Sequence, residues 1–163
     1  MQVRRASVED LDAIFALNVQ IGDMHHQHAP HLFATPGPSG RAFLQQALQE
    51  ADKYFWVAEH QNKVIGFLSA RLESFVHIPH LVDDPMCHVN TIVVDRDARG
   101  TGAGKALMAA CTQWAKDNHA TVIKLEVMTF NQDAQAFYQA LGFTPDSITM
   151  MQTLNCEPEE SAQ

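Results

Sequence analysis

Apolar positions along this chain repeat at two spacings, one helical and one alternating, and the switches between them predict the elements. Residues 3–5 read as a short strand. Ser7 then offers a capping oxygen, and Glu9 and Asp10 fall in the first turn of a helix, where the helix dipole favours negative charge. Leu11, Ile14, Phe15 and Leu17 continue at helical spacing, and the pattern runs past Ile21 until Pro30 stops it. The Pro, Gly and Ser of residues 35–40 mark a loop, and Phe43, Leu44, Ala47 and Leu48 predict a second helix from Arg41 to about Ala51. The aromatic and β-branched run 54–59, the polar Gln61, Asn62 and Lys63, and the run 64–70 predict an antiparallel hairpin of two central strands. Residues 88–95 predict a strand that leads into a glycine-rich turn. Beyond it, Leu107, Met108, Cys111 and Trp114 lie on one stripe of a helix reaching about Asn118. A strand over 122–127, a helix from about Gln132 to Leu141 capped by Gly142, and a last strand over 148–154 complete the pattern. Interspersed strands and helices without repeats predict an α+β or α/β fold.

Composition narrows this further. The chain has 163 residues, 46% of them hydrophobic and 18% charged, which suits one folded domain over 1–155 followed by a polar tail, 156–163. Asp and Glu number 19 against 11 Lys and Arg, a formal charge of −8, so attraction to nucleic acid or to an anionic membrane is not expected. A small cationic partner is. No stretch approaches the roughly 18 apolar residues of a membrane span, and the first residues lack an apolar signal core, so the expected location is the cytoplasm. Cys87, Cys111 and Cys156 are odd in number and far apart, which predicts reduced thiols rather than a disulfide framework or a cysteine-rich zinc site.

The glycine-rich turn, Arg99, Gly100, Thr101, Gly102, Ala103, Gly104 and Lys105, lies between an apolar strand and an amphipathic helix. Free backbone N–H groups and a helix N-terminus make such a turn an anion site. A nucleotide P-loop requires Ser or Thr after its Gly-Lys, but Ala106 follows Lys105, and Arg99 stands where that motif has its first glycine. A dinucleotide fold requires G-x-G-x-x-G within a βαβ unit, but Lys105 follows Gly104 and the upstream hairpin is antiparallel. A third pattern, Arg/Gln-x-x-Gly-x-Gly/Ala, is met by Arg99, Gly102 and Gly104. It resembles the acetyl-CoA-binding motif of the GCN5-related N-acetyltransferase (GNAT) superfamily. Asn131, Ala134, Phe137, Tyr138, Leu141, Gly142 and Phe143 are similar to that superfamily's N-x-x-A-x-x-F-Y-x-x-x-G-F, at the usual distance after the turn.

The resemblance implies a mixed, mostly antiparallel sheet of about six or seven strands flanked by about four helices, with two strands splayed at the cofactor. It implies acetyl transfer from acetyl-CoA to a primary amine by direct attack, the rival being a non-catalytic acyl-CoA-binding module of the same fold. By resemblance the coenzyme A pyrophosphate meets the N–H groups of Arg99, Gly100, Thr101, Gly102, Ala103 and Gly104, with Lys105 adding charge. Pantetheine lies along Ile92, Val93 and Val94 with backbone bonds at Ile92 and Val94, and Asn131 and Phe137 complete the cofactor contacts. Tyr138 occupies the position whose phenol protonates the leaving thiolate; otherwise it packs on the sheet. Asn131 can equally serve as a helix N-cap.

Many members carry a Glu on the strand before the turn. Here that stretch is Met86, Cys87, His88, Val89 and Asn90. Strict alternation puts Met86, His88 and Asn90 on one face, and His88 can replace the acid as a base near neutral pH; ordered water is the alternative. His25, His26, His28 and His31 crowd the end of the first helix, but their spacing does not suit a metal site, and no metal is expected. The stretch from His28 to Phe33 resembles the wall of the acceptor site in small members. Acceptor identity is expected to depend on residues 23–39 and 73–86, where Asp23, Glu73, Asp83 and Asp84 attract a protonated amine or are simply solvated. Unpaired strand edges can pair with a second copy, which leaves the oligomeric state open between a monomer and a homodimer.

Overall fold

A computed structural model describes residues 1–74, 79–80 and 83–154. The expectations for residues 75–78 and 81–82, for Cys156 and for the tail 156–163 therefore lie outside the described residues. The chain divides into two compact units, Met1–Glu126 and Val127–Gln163.

The first unit holds a five-stranded sheet in the order β1-β2-β3-β4-β5, formed by β1 (Gln2–Arg5), β2 (Lys53–His60), β3 (Lys63–Glu73), β4 (Met86–Val94) and β5 (Val122–Leu125). The first three pairings are antiparallel and the last, β4 with β5, is parallel. Its helices are α1 (Leu11–His28), α2 (Pro38–Ala47) and α3 (Ala103–Asp117). Leu11, Ile14 and Leu17 of α1 and Leu44 and Ala47 of α2 share one core with Phe55, Val57, Phe67 and Val93 of the sheet. The alternate residues face the other way. Tyr54 and Trp56 meet Trp114 of α3, and Cys87 of β4 approaches Cys111 of α3 with the two Sγ atoms 3.7 Å apart. The sheet is thus sandwiched between α1 with α2 on one face and α3 on the other, a three-layer form of the expected mixed sheet flanked by helices.

Local signals set most boundaries. Ser7 accepts from the N–H of Glu9, and the Asp10 carboxylate reaches back to the N–H of Ser7, closing a capping box over a single 3-10 turn that leads into α1. Gln61 and Asn62 both have positive φ, the backbone of a tight hairpin turn between β2 and β3.

Three expectations need correction. The second helix starts at Pro38, not Arg41, because Gly37 caps it and proline suits the first helical turn, so what read as loop punctuation is a helix start. It also ends early, at Ala47. Among the described residues the sheet has five strands, not six or seven, and the strand expected over 148–154 does not form. Its apolar residues Ile148, Met150, Met151 and Leu154 are exposed, so alternation there has no apolar surface to bury and no ladder to join.

The second unit is built on α4 (Gln132–Ala140). Asn131 caps it by accepting from the N–H of Ala134, and Gln135 donates to the carbonyls of Met128 and Thr129, tying the helix to the turn before it.

Candidate functional site

The strand β4 is the centre of the candidate site, and one irregularity organises it. Val93 belongs to the core under α1 and α2, whereas Cys87 touches Cys111 of α3. Residues six apart share a face in an unbroken strand, so one residue between them must be extra. The register identifies it: Ser69 pairs with Thr91 and Ala70 with Val89, leaving Asn90 as a β-bulge. Met86 and His88 alternate with Cys87 onto the α1 and α2 side, and at the bulge Asn90 and its neighbour Thr91 both line a cavity on that side.

The bulge coincides with the end of β5. Parallel pairing runs from Met86 with Val122 to Val89 with Leu125 and stops, so beyond Val89 one edge of β4 is left uncovered by β5. Which amides face that edge follows from the antiparallel ladder. The N–H of Asp95 donates to the carbonyl of Ile65 at 2.8 Å, so Asp95, Val93 and Thr91 point their peptide groups at β3. Ile92 and Val94 then present theirs to the open edge. These are the two residues that the resemblance singled out for pantetheine.

The edge leads into the glycine turn. Gly100 and Gly102 have φ of 78° and 88°, a left-handed backbone that brings successive N–H groups round to one side ahead of α3. Gly102 is the N-cap, and a side chain there would meet nothing closer than Met1 at 3.9 Å, so the space over the helix N-terminus is open. Thr101 donates its hydroxyl to the carbonyl of Ala98 at 2.7 Å and braces the turn. The first turn of α3 contains no acidic residue. Arg99 and Lys105 are exposed, and among the described residues neither forms an ion pair. Two uncompensated cations beside the positive end of a helix dipole are unfavourable for the isolated protein, and the arrangement suits a multiply charged anion.

His88 lies one turn of the pleat before the bulge, on the α1 and α2 face. Its Nδ1 is 2.8 Å from Oε1 of Glu73 on β3, and the same oxygen accepts from Nε and Nη2 of Arg71 at 3.1 and 2.8 Å. The other oxygen, Oε2, accepts from Lys124 of β5 at 2.6 Å. Burial pushes the Glu73 carboxyl up, but the hydrogen bonds from Lys124, His88 and Arg71 outweigh it and hold the group at about 2. An ionised carboxylate only accepts, so Nδ1 of His88 donates to it and Nε2 is the ring nitrogen left for another partner. The sequence left Glu73 as either an attractor of a cationic amine or a solvated loop charge. It is instead consumed by three side chains of the sheet. The strand ladder alone carries this convergence, since Arg71 pairs with His88 and His88 with Lys124.

In the second unit Tyr138 is buried, with its ring 5.3 Å from Phe137 and 5.8 Å from Phe143 between centroids. Burial pushes its phenol up to about 12. Asn131 spends its side-chain oxygen on the helix cap, although its amide N–H groups remain for another acceptor. The histidine cluster holds a turn in place. His26 Nδ1 meets the carbonyl of Phe33 at 2.7 Å, His28 Nδ1 meets that of Met24 at 2.8 Å, and the ring of His25 lies 4.6 Å from that of Phe33. Among the described residues no group of three or more His, Cys, Asp or Glu is arranged to hold a metal, and no helix is long and apolar enough to cross a membrane.

Comparison with known proteins agrees with this architecture. The model of the acetyltransferase (GNAT) family matches residues 22–143. N-acetyltransferase 8B from Homo sapiens is 34% identical over 101 residues, which cover 59% of this chain and 40% of that protein. The chain therefore spans well under half the length of this relative. The N-alpha-acetyltransferase of Sulfolobus acidocaldarius is 28% identical over 147 residues, 87% of this chain and 79% of the relative. Among solved structures, a mutant BH1408 protein from Bacillus halodurans superposes with a TM-score of 0.89 at 25% identity, covering 95% of this chain and 100% of that one. The aminoglycoside N-acetyltransferase AAC(6')-Iy in complex with CoA shares the fold at a TM-score of 0.75 and 21% identity, with 95% of each chain covered.

Proposed function

Because the chain belongs to the acetyltransferase (GNAT) family, we propose that it is an N-acetyltransferase that moves the acetyl group of acetyl-CoA to a primary amine in one direct step. The observation that carries this reading is the open edge of β4 running into the glycine turn, with Ile92 and Val94 facing outward and Arg99 and Lys105 unpaired beyond them. A pantetheine arm is a peptide-like chain and adds to a bare strand edge as another strand would. The turn amides and the two cations then take the pyrophosphate. The CoA complex of the structural neighbour AAC(6')-Iy is in keeping with this ligand.

In the reaction the amine nitrogen bonds to the thioester carbon, the carbon–sulfur bond breaks, and one proton passes from nitrogen to sulfur overall. We assign the N–H of Ile92 to the carbonyl oxygen, which gains charge as the amine attacks and is stabilised most by a donor already in position. Nε2 of His88, set by Glu73, or an ordered water takes the amine proton. By the family pattern on α4 we assign Tyr138 to the departing sulfur. A phenol held at about 12 stays protonated at working pH, and handing its proton outright to a free thiolate would be uphill. Its part is to hydrogen-bond the sulfur while the bond breaks, with the amine's proton completing the balance.

Calorimetric titration with acetyl-CoA, followed by free-thiol release against a panel of amines, tests the proposal. Binding with turnover is expected. Binding with no turnover on any amine would favour a non-catalytic acyl-CoA-binding module, and no binding would overturn the assignment of the turn.

A further inference from the structure

The cavity lined by Asn90 and Thr91 has a volume of about 270 Å³ and lies between the sheet and α2, on the face opposite α3. Its walls are apolar at Phe43, Leu44, Ala47, Phe55 and Phe67. Among the described residues the charged members of its lining are Lys53 and Arg71, both cationic, with no carboxylate beside them. Lys53 is engaged by Glu50 at 2.8 Å. Arg71 shows Glu73 only its Nε and Nη2, both on the single oxygen Oε1 that also takes His88. Among the described residues its Nη1 has no partner. A guanidinium offers five N–H donors in a planar fork, and the fork suits carboxylate recognition.

From this lining we infer that the acceptor is a small amine carrying its own carboxylate and an apolar side chain, a free α-amino acid of the leucine or phenylalanine kind, with Arg71 as the residue that selects it. The inference rests on the acetyl-transfer reading of the neighbouring edge. Three properties of the cavity argue for it. A polyamine or an aminoglycoside would bring several positive charges to a cavity whose described lining has cations and no carboxylate, and each buried unpaired charge is costly. The volume lies below the ~300–1,000 Å³ of clefts that hold drug-sized ligands, and admits a molecule of amino-acid size. A nearby guanidinium also disfavours the ammonium form of the acceptor, so the cavity itself promotes the neutral amine that must attack. The proposal thus differs from the expectation, drawn from the net charge of −8, of a cationic partner.

The test measures free-thiol release with acetyl-CoA and L-phenylalanine, L-leucine, their carboxamides, spermidine and an aminoglycoside, alongside calorimetry with acetyl-CoA. The amino acids are expected to exceed their own amides about 10–100-fold in kcat/KM, the range of a charge-assisted bond gained or lost. Arg71→Met should bring that ratio close to one, and Arg71→Lys should retain part of it, which separates lost carboxylate recognition from a folding defect. Acetyl-CoA binding together with equal or better turnover of the amides, spermidine or the aminoglycoside, or with no turnover of the amino acids, would overturn the acceptor class alone. Absence of acetyl-CoA binding would overturn it together with the acetyl-transfer reading.

Discussion

Glu73 joins three strands through a single carboxylate, accepting from Arg71, His88 and Lys124, and its removal should be felt in stability as well as in the orientation of His88. Glu73→Gln is expected to lower the unfolding free energy by roughly 1.5–3 kcal/mol, the worth of hydrogen bonds to a charged group, measured by urea titration at neutral pH. The pH dependence has a definite sign. The carboxyl sits at about 2 against an ordinary 4.5, so its stabilisation is complete above about pH 4.5 and is lost as pH falls towards 2. Acid titration of the variant should lack that increment. Tyr138 runs the opposite way. Its phenol is raised from 10 to about 12, so its contribution is complete below pH 10 and is lost as pH rises through 12. For catalysis, Tyr138→Phe is expected to lower kcat about 100-fold with little change in KM. Unchanged kcat in steady-state assays would remove the phenol from the reaction.

Among the elements, the N-terminal turn of α3 shows binding and stability pulling in opposite directions. Lys105 stands in a first turn that has no acid, a placement the helix dipole opposes. Lys105→Glu is therefore expected to stabilise the fold by about 0.3–1 kcal/mol, seen as a higher Tm, while weakening acetyl-CoA binding at least several-fold by calorimetry. Loss of both together would mean that the turn serves the fold and not a ligand. Gly66 tests the strand above it. It faces Val94 across the ladder, and a methyl group there would sit 2.9 Å from the carbonyl oxygen of Val93. Gly66→Ala should push β3 from β4 at the cofactor edge, costing about 1–3 kcal/mol by thermal unfolding and reducing acetyl-CoA affinity with it.

At the scale of the molecule, the exposed apolar residues Ile148, Met150, Met151 and Leu154 lie in backbone that has no ladder, and limited proteolysis with thermolysin should cut there while the sheet resists. Resistance of this stretch would mean that it is covered, as a second copy would do. Periodicity and capping made most elements legible in the sequence. Ser7, Pro30 and the hairpin turn act within a few residues of themselves, and so does the glycine turn, whose anion chemistry needs only local backbone and one helix end. The short reach of Gly37 and Pro38 was equally local but was masked by loop-like composition. What lay beyond the sequence were quantities fixed by pairing between distant segments. The extra residue at Asn90 is visible only against β3, because a bulge is a count of one strand relative to another. The failure of residues 148–154 to form a strand is likewise a matter of having no partner. Glu73 meets His88 across 15 positions and Lys124 across a further strand, so a residue the sequence left as an amine attractor or a solvated charge is a brace for an imidazole. The sequence by itself determined most of the elements, the family pattern and the left-handed glycine turn ahead of α3, since these depend on short-range geometry. Tertiary structure alone decided which β4 amides face the open edge, which histidine nitrogen faces Glu73 and which charges line the cavity beside β4, because each depends on side chains and backbone brought together by the sheet register.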